Sequence, residues 1–70
     1  MNASFNPRKA LLDYERAIVV ASLEIESLAR SIERRREVGE NVSVEEQVLD
    51  RLLEAQAERI AARIEIIANG

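Results

Sequence analysis

Apolar residues recur along this chain in two periodic blocks separated by one break. In the first block Leu11, Tyr14, Ile18, Ala21, Ile25, Leu28 and Ile32 alternate spacings of three and four. That is the a/d pattern of a heptad seam, which lines one stripe of a helix. The next position in phase is Arg35, so the seam ends there. Asn6-Pro7 is a helix start. The Asn side chain accepts from free backbone amides, and Pro fits the first helical position, where a missing N–H costs nothing. Arg34, Arg35 and Arg36 fall in the last turn, where cations suit the negative end of the helix dipole. Gly39 follows as a C-cap. A first helix is predicted over about residues 7–37.

The second block opens at Ser43, with Glu46 three residues on, the spacing of a capping box. Leu49, Leu53, Ala57, Ile60, Ile64 and Ile67 then keep close to the period of an amphipathic helix. A second helix is predicted over about residues 44–68, with residues 38–43 as the turn, residues 1–5 as a lead-in and Asn69-Gly70 as a terminus. Arms of about 45 and 37 Å joined this closely lie antiparallel. The expected fold is all-α: one helical-hairpin domain over residues 1–70, pairing into a four-helix bundle.

The pairing follows from surplus. The seam inside the hairpin is expected to be Leu11, Tyr14, Ile18, Ala21, Ile25, Leu28 and Ile32 against Leu49, Leu53, Ile60, Ile64 and Ile67. Off that seam lie Leu12, Val19, Val20 and Leu23 in the first helix, and a weaker stripe of Val48, Leu52, Ala55, Ala62 and Ile66 in the second. A helix apolar on two sides packs on two sides, and two helices enclose only one seam. Leu12, Val19, Val20, Leu23, Val48, Leu52 and Ile66 are therefore assigned to an interface with a second copy or with a helix of another protein. Gln56 and Arg63 border the apolar stripe of the second helix and read as its edge. Tyr14 reads as a core or interface residue with its hydroxyl at the rim.

Composition sharpens this picture. A 70-residue chain buries little surface, and small scaffolds draw on disulfides, metals or partners. Cysteine and histidine are absent, which removes disulfides and the usual zinc sites and leaves partners. With 47% apolar and 33% charged residues and a net charge of −3, the chain has a globular balance and no strong charge bias. No apolar run has membrane-spanning length and the start lacks signal-peptide character, so a cytoplasmic protein without a membrane partner is expected.

Candidate chemistry is sparse. Glu46, Asp50, Glu54 and Glu58 form an acidic ridge at spacing four, but helical di-metal sites use Glu-x-x-His pairs, and the ridge reads as a solvated face. Arg30 with Arg34, Arg35 and Arg36 could touch phosphates, yet no aromatic residue is interleaved for base stacking. Those arginines read as dipole partners and ion-pair donors, Glu26 to Arg30 having the favourable order. The serines Ser4, Ser22, Ser27, Ser31 and Ser43 have no partnering base, and two glycines make no phosphate loop. No catalytic, cofactor or metal residues are assigned, and the chain is not expected to be an enzyme.

The expected function is a protein-interaction module that self-associates or holds a partner helix, as an adaptor or small chaperone. The runner-up is a small RNA- or DNA-associated regulatory dimer using Arg30–Arg36. The layout, a hairpin with Gly39 in the turn near its midpoint, also resembles the co-chaperones of type III secretion needle subunits. That resemblance implies a cytoplasmic heterocomplex that keeps an aggregation-prone helical subunit soluble.

Overall fold

The computed structural model describes residues 5–69. Residues 1–4 of the expected lead-in and Gly70 of the expected terminus lie outside the described residues. Helix α1 spans Pro7–Glu37 and helix α2 spans Ser43–Asn69. They pack against each other as an all-α hairpin of 57 × 22 × 15 Å, a slab one helix thick.

Local chemistry sets each boundary. At the start of α1, Asn6 is extended and its Oδ1 accepts from the amides of Arg8 (3.1 Å) and Lys9 (3.3 Å). Pro7 takes the first helical position. At its end, Gly39 sits at φ 82°, in the left-handed region that favours glycine. Its N–H donates to Arg36 O at 3.0 Å, and the Glu40 N–H donates to Arg35 O at 2.9 Å. Those two bonds are a Schellman motif. The apolar contact that commonly accompanies such a motif is replaced by an ion pair, Arg35 Nε to Glu40 Oε1 at 2.7 Å.

The start of α2 departs from the sequence expectation. Ser43 and Glu46 do not form a capping box. Asn41 Oδ1 accepts from both the Ser43 amide (3.0 Å) and the Ser43 hydroxyl (2.7 Å). Glu46 instead pairs across the hairpin with Arg36. Asn41 competes successfully because an Asx turn closes over only two residues, and the arginines of α1 draw the carboxylate away. Val42, beside this turn, is buried at the closed end of the slab.

Ala21 and Ile32 are buried, and Leu11, Tyr14, Ile18, Ile25 and Leu28 are half-buried. Arg35, next in phase, is half-buried too and continues the seam with its guanidinium turned to carboxylates.

Candidate interaction surface

Helix α2 carries two heptad seams that diverge by one residue after Leu49. One is Leu49, Leu52, Gln56, Arg59, Arg63 and Ile66; the other is Leu53, Ala57, Ile60, Ile64 and Ile67. The first faces α1: Leu49, Leu52, Arg59, Arg63 and Ile66 are half-buried and Gln56 is only 8% exposed. The second faces outward, with Leu53 at 47%, Ile60 at 43%, Ile64 at 57% and Ile67 at 53% exposure.

This corrects the seam expected from the sequence on the α2 side. Leu53, Ile60, Ile64 and Ile67 belong to the outer surface, while Leu52 and Ile66 belong to the contact with α1. Ranking stripes by apolarity selects the purer one, whereas polar contacts set the rotation of α2. Gln56 Nε2 donates to Ile18 O at 2.8 Å and to Ser22 Oγ at 3.0 Å. Arg63 holds Glu15 Oε2 through Nη2 at 3.0 Å and Nε at 3.3 Å. Arg35 Nη1 reaches Glu45 Oε2 at 2.6 Å. These cross-links span the length of the slab, and one residue of offset turns a helix by about 100°. Gln56 and Arg63 thus lie in the seam rather than at its edge.

The polar seam is internally satisfied. Ser22 Oγ donates to Ile18 O at 2.8 Å, and Gln56 Oε1 accepts from Arg59 Nη1 at 3.2 Å. Among the described residues no buried side-chain nitrogen or oxygen lacks a partner. Because the slab is one helix thick, Arg59 and Arg63 lay their stems along the seam and bring their heads to its rim.

The slab has two broad faces. On one, Val19 shares a groove with Glu15, Ile18, Ile60 and Arg63, and Leu11, Ile66 and Ile67 border another with Pro7 and Arg8. Leu12 precedes Val19 by one heptad and Ile64 follows Ile60 by one turn, so both extend this face. The opposite face has a groove of small and polar residues, Ala10, Asp13, Tyr14, Ala17 and Arg59, with more apolar grooves at Phe5, Tyr14, Ala62 and Ile66 and at Leu23, Leu28 and Leu52. Of the remaining expected interface residues, Val20 lies one heptad after Asp13 and Val48 two heptads before Ala62, which puts them on this second side. Leu23 lines a groove with Leu28 of the seam and Leu52 of α2. Val20, Leu23 and Val48 are exposed.

Charge gathers at the closed end. Arg35 bridges Glu40 and Glu45, and Arg36 takes Glu46. The hydrogen bond that Arg35 donates to Glu40, then the attraction of Glu45, hold the pKa of the Arg35 guanidinium above its ordinary value. Glu26 pairs with Arg30 at 3.1 Å and Lys9 with Asp13 at 3.0 Å, both on the surface. Much of the arginine run is therefore engaged by carboxylates of this chain. On the acidic ridge, Glu46 is spent on Arg36 while Asp50, Glu54 and Glu58 are exposed. Among the described residues no three His, Cys, Asp or Glu side chains gather as a metal site, and no helix is long and apolar enough to cross a membrane.

Comparison with protein-family models, curated proteins and solved structures finds no match for this chain.

Proposed function

We propose that this chain is a non-enzymatic helical-hairpin module for protein association, whose partner is a helical surface supplied by a second copy or by another protein. One observation carries this. The stripe of α2 richest in Leu and Ile is exposed on a broad face of the slab, where Val19 of α1 borders it across a groove shared with Glu15 and Arg63, and Leu12 lies one heptad before Val19. Contiguous exposed apolar patches beyond a few hundred Å² mark interaction sites. Association through such a surface needs no catalytic group, in keeping with a chain that contains neither Cys nor His. The test is the native mass of the chain in a lysate of its own cells. An assembly heavier than the 7.9 kDa chain is expected; a chain that sediments alone in that lysate refutes the function.

A further inference from the structure

Resting on that association function, we infer that a second copy of this chain covers the outer α2 seam, docked antiparallel about a two-fold axis between Ala57 and Ile60. Leu53, Ala57, Ile60, Ile64 and Ile67 alternate spacings of four and three, so the seam keeps its alternation when its direction is reversed. A two-fold interface demands this self-complementarity, since each residue meets its counterpart's neighbour. With the axis between Ala57 and Ile60, Ala57 of one copy faces Ile60 of the other and Leu53 faces Ile64, while Ile67 runs past these pairs to the level of Leu49 and Asp50. Small Ala57 near the axis admits the larger Ile60. Leu12 and Val19 of α1 then close over the flank, giving a four-helix bundle from two slabs laid face to face.

Surface area fits the same occupant. The chain exposes 5470 Å², whereas a compact monomer of its mass exposes about 4,400 Å². The excess, roughly 1,000 Å², matches the order of the ~800 Å² that each partner contributes to a standard interface. Its radius of gyration is 16.4 Å, against about 11 Å for a compact chain of this length, so the surplus comes from being thin. The nearest charged groups on this face, Glu15 and Arg63, neutralise one another at 3.0 Å.

Sedimentation equilibrium of the purified chain at micromolar concentration, with circular dichroism on the same samples, tests the inference. The wild type is expected at twice the 7.9 kDa chain mass. Ile60→Glu with Ile64→Glu is expected at the single mass, and Val20→Glu with Val48→Glu, on the other side of the slab, at the double mass. If the first pair loses its helix, crosslinking decides. The chain has no cysteine, so Ile60→Cys is expected to join two copies through a short bismaleimide and Val20→Cys is not. A fully helical wild type at the single mass overturns the second copy as occupant, as does efficient crosslinking through Val20→Cys alone. Dissociation by the Val20 and Val48 changes only, with the Ile60 and Ile64 variant still double, overturns the face. A chain that is single when pure yet heavier in its own lysate overturns this inference and leaves the association function standing; a chain single in both overturns both.

Discussion

Gln56 offers the sharpest test of how the hairpin is held. Replacing it with Ala removes three hydrogen bonds, to Ile18 O, Ser22 Oγ and Arg59 Nη1, each worth about 1 kcal/mol net. It also opens a void beside Ala21 and Ile18. Water reaching the rim of a thin slab recovers part of that loss, so the expected cost is about 2–3 kcal/mol. Gln56→Leu removes the same bonds but strands nothing. Ser22 keeps Ile18 O as its acceptor at 2.8 Å, and half-buried Arg59 reaches solvent. Burying the Leu side chain returns roughly 1.5–3 kcal/mol, so this variant is expected within about 1 kcal/mol of wild type. At about 4–8 °C per kcal/mol for a domain of this size, the two variants should melt on the order of 10 °C apart. Helicity at 222 nm followed through heat and urea unfolding measures this, at one fixed chain concentration because association shifts the midpoint. A Leu variant that falls alongside the Ala variant would show that Gln56 carries stability no apolar side chain can replace, and the reasoning would be wrong.

Other substitutions probe single features. Gly39→Ala meets no atom within 4 Å, so its cost is the left-handed backbone alone, about 1 kcal/mol; Gly39→Asn should cost less, and urea midpoints order the three. Ala21→Leu forces three extra carbons into a position 5% exposed and should cost about 1–3 kcal/mol by overpacking, seen as a lower melting midpoint with unchanged starting helicity. The Glu15–Arg63 pair is more than a third exposed on both sides, so a double-mutant cycle to Ala should return a coupling below about 1 kcal/mol that shrinks further in high salt.

The hairpin was legible because its signals were local. Asn6-Pro7, the heptad run from Leu11 to Ile32 and Gly39 each act through neighbours within a turn or two, and each appears in the structure as a cap, a seam and a Schellman turn. The capping box at Ser43 was also a local signal, yet it lost to an equally local rival two residues away, Asn41, and to Arg36, which only the folded hairpin brings near Glu46. The face of α2 was not legible. Two seams share Leu49, and choosing between them by apolarity selected Leu53, Ile60, Ile64 and Ile67. What decides is a set of contacts 34 to 48 residues apart in sequence, Gln56 to Ile18 and Ser22 and Arg63 to Glu15. One clue did stand in the sequence. Leu49, Leu52, Gln56, Arg59, Arg63 and Ile66 keep strict heptad spacing, the same period as the α1 seam, and a polar residue at a heptad core position is a known device for fixing register.

The allocation of seams also has a thermodynamic logic. Packing α1 on α2 closes a short turn, and loop closure costs little when the loop is short. A weakly apolar seam with Gln56, Arg59 and Arg63 at its centre is sufficient for that contact, and its directional bonds choose one register among the slips a heptad allows. Bringing in a separate chain is harder, because association gives up translational and rotational freedom worth several kcal/mol or more. In the association proposed above, that contact needs the larger hydrophobic return, and the purer seam of Leu53, Ala57, Ile60, Ile64 and Ile67 would be the one to supply it. Exchanging the seams would spend the stronger driving force where the turn already supplies proximity, and would leave buried amide and guanidinium groups to be desolvated between chains. A hairpin this thin, with Ala21, Ile32, Val42 and Gln56 as the buried ones among its described residues, has little core of its own. Covering the outer seam would therefore stabilise the helices as well as join the chains, so folding and association should rise and fall together with concentration.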